Sequence, residues 1–164
     1  MSDGSTANQQ GVTLPAAGCA ADPYASLRLE NQLCFPLYAA AKEVVRRYKP
    51  LLDAIDLTYT QYIAMMVLWS ERELNVRELG ERLYLDSGTL TPLLKKLEEK
   101  GYVERRRAER DRRELRVALT ERGAALRDEA LAVPQGMAGC VDLSADEAAE
   151  LYRLLYKVLA DRTA

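Results

Sequence analysis

Between Tyr84 and Arg116 the chain sets three unlike segments in a fixed order, and that order constrains the fold more than any other feature. Leu85-Asp86-Ser87-Gly88 reads as a turn in which Asp86 or Ser87 caps a following helix. On that helix Leu90, Leu93, Leu94 and Leu97 fall on one face, and the run reaches Lys100 before Gly101 ends it. Tyr102 to Arg107 and Glu114 to Leu119 then read as two strands around a charged tip. A short capped helix feeding directly into an arginine-dense ribbon predicts a winged helix-turn-helix.

The flanks read as helix on both sides. Residues 1–26 are rich in Ser, Gly, Ala, Asn, Gln and Pro and are expected to form a disordered tail. From 27 to 54 the apolar positions Leu29, Leu33, Leu37, Ala41, Val44, Val45 and Tyr48 recur at three and four, with Pro36 and Pro50 expected to kink or segment the helix. Thr58 is expected to cap Tyr59–Ser70, with Ile63, Met66, Val67 and Leu68 inward. Asn75 opens a short helix, Val76–Leu83, that turns Leu79 and Leu83 to a core. Thr120-x-x-Gly123 starts a helix to about Val133, Pro134–Asp142 is expected to be a loop, and Ser144–Asp161 an amphipathic closing helix.

The whole is a mainly α fold with a small β-hairpin wing. One domain over 27–164 carries a DNA-binding part at about 58–119 and dimerisation helices at about 27–54, 120–133 and 144–162. The apolar faces of those helices (Leu29, Leu33, Leu37; Leu126, Leu131; Leu151, Leu154, Leu155, Val158) are too extensive for one thin chain to cover, which predicts a homodimer with a helical dimerisation region.

Charge distribution matters more than its sum. The net charge is -2 and the pI near 5.4, yet Arg105 to Arg116 holds seven arginines against Glu109, Asp111 and Glu114, a local excess of +4. Phosphate binding needs such a footprint, not a basic protein. With three cysteines, no closely spaced Cys pair and no histidine, zinc and haem sites are unsupported and a Ser-His or Cys-His catalytic unit cannot be built from one chain. No metal, cofactor or catalytic residue is therefore assigned. No apolar run reaches the ~18 residues that a membrane span needs. The first 27 residues lack Lys and Arg, so a cytoplasmic protein is expected.

On the candidate reading helix, Gly88, Pro92 and Lys95 lie opposite the leucines, with Thr91 on one flank and Thr89 and Lys96 on the other. Ser87, Gly88, Thr89, Thr91 and Pro92 are small enough to approach a groove floor, while Lys95 and Lys96 suit phosphates. Taken singly, each fits an ordinary cap or solvated face as well. In the wing, Asp111 and Arg113 are spaced to form an ion pair that extends the guanidinium toward a minor groove, and Arg110 and Arg112 suit the backbone.

Cys34 sits near the start of the first helix. Exposed amides there favour the thiolate, which attacks peroxides, although a cysteine among apolar neighbours also serves as an inert small hydrophobe. Tyr48, fourteen residues on, lies about 21 Å further along a continuous helix, too far to touch Cys34 in the same chain.

Several blocks in order resemble the MarR family of dimeric winged-helix repressors: the helix sequence, Leu85-Asp86-Ser87-Gly88-Thr89, Asp111-x-Arg113 and Leu119-Thr120-x-x-Gly123. Asn31-Gln32-Leu33-Cys34-Phe35, Tyr48-Lys49-Pro50-Leu51-Leu52 and Leu57-Thr58-Tyr59-x-Gln61-Tyr62 are similar to its organic-hydroperoxide-sensing branch. The resemblance implies a homodimer on double-stranded operator DNA that releases it when organic hydroperoxide oxidises Cys34. Tyr48 and Tyr59 would reach that cysteine across the dimer, and Cys140 of the partner subunit would resolve it as a disulfide. Cys19 lies outside the pattern. Two other readings fit parts of the sequence, a repressor answering a small phenolic or aromatic ligand and a thiol peroxidase.

Overall fold

The computed structural model describes residues 23–107 and 114–160, which fall into two compact units divided between Val44 and Val45. The expected tail with Cys19, and the wing-tip residues Arg110, Asp111, Arg112 and Arg113, lie outside the described residues.

The first unit opens with 3-10 turns at Ala25–Leu27 and Leu29–Asn31. They are tied by Asn31 Nδ2 donating to the Ala25 carbonyl at 2.8 Å and by Gln32 Nε2 donating to Ser26. The first helix, α1 (Cys34–Asp53), therefore begins seven residues later than its periodicity implied, because these local bonds divert the backbone before helical bonding starts. Cys34 becomes its first residue. Contrary to expectation neither proline segments α1: Pro36 stands in the first turn, where no amide partner is available in any case, and Pro50 in the last.

In the second unit, α2 (Tyr59–Glu71) starts at Thr58, whose hydroxyl accepts from Gln61 N while Gln61 Oε1 accepts from Thr58 N. Its buried residues are Gln61, Tyr62, Ala64, Met65, Leu68 and Trp69. Met66, expected inward, is 50% exposed, and Ile63 and Val67 are only partly buried. A helix apolar on nearly every side gives no periodic signal as to which side packs.

Helix α3 (Val76–Leu83) has a second capping box, Asn75 with Glu78, and buries Leu79. Helix α4 (Ser87–Glu99) buries Leu90, Leu93, Leu94 and Leu97 as expected, each contributing roughly 1.5–3 kcal/mol by leaving water. Gly101 (φ 74°) closes α4: its amide donates to Glu98 O at 2.8 Å and that of Tyr102 to Leu97 O at 3.0 Å. That pair of bonds needs the left-handed conformation glycine takes without strain.

The expected wing strands are β2 (Val103–Arg107) and β3 (Leu115–Leu119), in register from Val103 opposite Leu119 to Arg107 opposite Leu115. A third strand, β1 (Glu73–Asn75), pairs with β3 to give the order β1-β3-β2. Three residues are too few to show an alternating pattern, so no local signal announced it. Helix α5 (Glu121–Ala130) starts at Thr120 and ends earlier than expected. A five-residue α6 (Ala132–Gly136) takes the first part of the expected loop. Helix α7 (Ala145–Ala160) closes the described chain and buries no residue.

The core joins Met65 and Leu68 of α2, Leu79 of α3, Leu94 and Leu97 of α4 and Val117 of β3. Leu126, assigned from sequence to a dimer face, belongs to this core at 4% exposure. Helical spacing marks an apolar face but does not say whether its partner lies in the same chain. Trp69 pins α5 by donating Nε1–H to the Gly123 carbonyl at 2.8 Å. Among the described residues no helix is long and apolar enough to cross a membrane.

Candidate nucleic-acid interface and cysteine site

Asp86, not Ser87, caps α4. Its Oδ1 accepts from Thr89 N at 2.9 Å and its Oδ2 from the Thr89 hydroxyl at 3.0 Å. These bonds, the Thr89 amide foremost, hold its carboxyl below the usual carboxylate range. A Cβ at Gly88 would sit 3.0 Å from Asp86 Oδ1, so glycine there leaves room for the cap as well as for an approaching ligand. All seven residues assigned to the reading face of α4 (Ser87, Gly88, Thr89, Thr91, Pro92, Lys95, Lys96) are exposed.

The two threonines differ from the sequence expectation in one respect. Thr91 donates its hydroxyl proton to Ser87 O at 2.7 Å, as Thr89 does to Asp86. What they offer a duplex is a methyl group and an acceptor lone pair, not a free donor. Lys95 lies 3.7 Å from Glu99, a loose exposed pair of small energy.

The sheet explains part of the arginine density. Arg105 makes a two-pronged contact with Glu98 of α4, from Nε at 2.9 Å and Nη2 at 2.6 Å. Glu73 of β1 holds Arg106 and also accepts from Arg116 Nε at 2.5 Å, and Arg116 reaches Glu114 at 2.8 Å. Three of the seven arginines thus fasten strands to each other and to α4. These partners lie 7, 33 and 43 residues apart in the chain, out of reach of any local motif.

At the other end of α4, Lys100 lies 2.9 Å from Asp56 Oδ1 and also donates to the Asp56 carbonyl, where the backbone turns with φ 52° between α1 and α2.

Cys34 and Cys140 are free thiols, Cys34 exposed and Cys140 partly buried. Tyr48 and Tyr59 come together with ring centroids 5.0 Å apart, and Tyr62 joins them 6.1 Å from Tyr48. Burial raises the Tyr48 phenol above its ordinary pKa, with Tyr59, Tyr62 and Cys140 adding to the shift. It therefore stays protonated and able to donate. The loop carrying Cys140 is held against this part of α1 by Arg47, whose guanidinium donates to the Cys140 carbonyl. Sequence reasoning assigned Tyr48 and Tyr59 but missed Arg47, which carries no motif of its own. Among the described residues no cluster of His, Cys, Asp and Glu fits a metal ion.

A capped helix with an exposed small-residue face, fastened to a three-stranded sheet beside it, defines a winged-helix transcriptional regulator. A family model described as transcriptional regulator SarA/Rot matches residues 46–130. The organic hydroperoxide resistance transcriptional regulator of Bacillus subtilis (strain 168) is 46% identical over 133 residues, covering 81% of this chain and 90% of that one. Reduced AbfR of Staphylococcus epidermidis bound to DNA superimposes with a TM-score of 0.70 at 33% identity, over 85% of this chain and 98% of that one. The same protein has been solved with its disulfide formed, at a TM-score of 0.57 and 33% identity over 83% and 92% of the two chains. A cysteine-to-serine mutant of MarR from E. coli complexed with operator DNA gives 0.73 at 30% identity, over 85% and 99%. The chain belongs to the MarR family of transcriptional regulators, in its organic hydroperoxide resistance branch. That membership places it among regulators of transcription rather than peroxidases.

Proposed function

We propose that this chain is a cytoplasmic, homodimeric repressor that binds operator DNA when reduced and releases it when organic hydroperoxide oxidises Cys34. The observation that carries the reading is the exposed thiol of Cys34 on the first residue of α1, in a chain whose α4 presents a capped, open reading face. In the dimer, each α4 enters a major groove, the two about one helical turn apart, and each wing meets the neighbouring backbone through Arg110 and Arg112 while the Asp111–Arg113 pair reaches toward the minor groove. Its relatives support both halves: AbfR and MarR are solved on DNA, and the Bacillus regulator is named for organic hydroperoxide resistance.

The chemistry balances without a cofactor. The Cys34 thiolate attacks the distal peroxide oxygen, the S–O bond forms as the O–O bond breaks, and the alkoxide leaves as an alcohol after taking a proton. Cys140 of the partner subunit then attacks the sulfenic sulfur. The S–S bond forms and hydroxide leaves as water with the thiol's proton. The Tyr48 phenol, its pKa raised by burial, and the Tyr59 hydroxyl beside it suit a donor role toward the sensing thiolate. Reorienting two reading heads away from one operator loses several phosphate contacts together, so affinity falls by orders of magnitude.

Cys34→Ser is expected to bind operator normally and to ignore cumene hydroperoxide in a gel shift. A Cys34→Ser protein that still lets go of DNA on oxidation ends the sensor reading. A second reading, release by a small phenolic or aromatic ligand, is favoured by a cavity of about 1000 Å³ beside the start of α4, lined by Asn75, Arg77, Tyr84, Leu85, Ser87 and Leu115. Salicylate-driven release from Cys34→Ser would establish it.

A further inference from the structure

The geometry points to Glu98 as the positioning residue that sets the wing against the reading helix, through the three hydrogen bonds its carboxylate takes from Arg105. This rests on the DNA-binding reading above and specifies how one chain holds its two contact elements at a fixed separation. Glu98 Oε1 accepts from the Arg105 backbone amide at 2.9 Å, and Oε2 accepts from Arg105 Nε at 2.9 Å and Nη2 at 2.6 Å. One side chain therefore holds both the backbone and the guanidinium of the same strand residue. The pair is shielded, with side chains 22% exposed at Arg105 and 36% at Glu98.

Topology gives this contact its leverage. In the order β1-β3-β2, β2 is an edge strand, and the Arg105 amide is turned to Glu98. Glu98 thus ties that edge to α4, one residue before the helix ends. Residues 108–113, which hold the wing's assigned DNA contacts, follow β2 directly in the sequence. Glu73 of β1, by contrast, bridges arginines of β2 and β3 within the sheet.

A carboxylate beside a DNA-binding surface should by charge alone weaken binding, so its removal should strengthen it. The positioning role predicts the opposite sign. Glu98→Gln loses the charge-assisted pairing in which Oε2 accepts from both Arg105 Nε and Nη2, frees the pitch of β2 on α4 and costs affinity, even though the protein loses a negative charge.

The test uses full-length reduced protein and a duplex that the wild type enriches from a random-sequence 30-base-pair pool. With Glu98→Gln, binding of that duplex is expected to weaken by about ten-fold or more, the scale of one or two lost groove or phosphate contacts. Hydroxyl-radical protection should vanish at the flanks, where the wings lie, and persist at the centre. Binding to unrelated duplex should stay within about two-fold. Arg105→Lys, which keeps the charge but not the fork, should reproduce the flank loss and covers the case in which Glu98→Gln does not fold. Equal or tighter binding of the selected duplex, or intact flank protection in the folded variants, overturns the assignment. A wild type that enriches no sequence instead defeats the DNA-binding reading and takes this inference with it.

Discussion

The reading head and the helical ends of this chain are built to opposite rules. Across α2 to α5 the helix starts are closed by their own side chains, Thr58, Asn75, Asp86 and Thr120, and the apolar faces meet in one core. In the opening 3-10 turns and in α7 no residue is buried. Leu29, Leu33 and Leu37 are open at one end of the described chain, and Leu151, Tyr152, Leu154 and Val158 at the other. A single copy completes the head by itself. The ends display apolar surface of the kind that marks association, which is where the proposed dimer would draw its stability.

That contrast can be broken experimentally, most forcefully in the core. Leu94→Ala, at a site 1% exposed, is expected to cost about 2–5 kcal/mol in urea unfolding. If Leu154→Ala, at a site 44% exposed, costs as much with the protein held monomeric by dilution, the two regions are not different in kind. Trp69→Phe should cost about 1–3 kcal/mol, because the Gly123 carbonyl loses its indole donor within the core. An unchanged midpoint would mean that bond does not hold α5 in place.

Leu154→Glu sharpens the other side of the contrast. It should move the protein from dimer to monomer in sedimentation equilibrium with helix content unchanged. Persistent dimers would put the interface elsewhere.

The smallest effect is that of acid on the head. The Asp86 and Glu98 carboxyls are lowered from ordinary values of 3.8 and 4.5, Asp86 chiefly by the Thr89 amide and Glu98 chiefly by the Arg105 guanidinium. A depressed carboxyl contributes stability that is present above its unfolded pKa and fades as pH falls through its folded one. Melting temperature should therefore hold steady above about pH 5 and decline below it. Asp86→Asn should flatten that decline, and an equally steep curve in the variant would show the cap to be silent.

Much of the local structure was legible, although the late start of α1 and the helix α6 were not. The caps at Thr58, Asn75 and Thr120, the leucine face of α4, the stop at Gly101 and the two wing strands each depend on residues a few positions apart, where helical and extended periods leave a pattern. The exposed face of α4 was legible for the same reason, since what lies opposite a buried leucine stripe faces outward. The cysteine site was legible only residue by residue: Cys34 and Cys140 stood out as reactive types, whereas Arg47 beside the Cys140 loop did not.

By itself, then, the sequence determined most of the helical segments, where most of them begin, and which side of α4 stays exposed. Tertiary structure alone decided which side of the uniformly apolar α2 is buried, that Leu126 turns inward, and that three residues at Glu73 join the sheet. It also decided that Arg105, Arg106 and Arg116 serve as fasteners. The physical reason is range. Backbone bonding and side-chain period repeat within one or two turns, but burial and ion pairing are settled by whichever surface arrives from elsewhere in the chain.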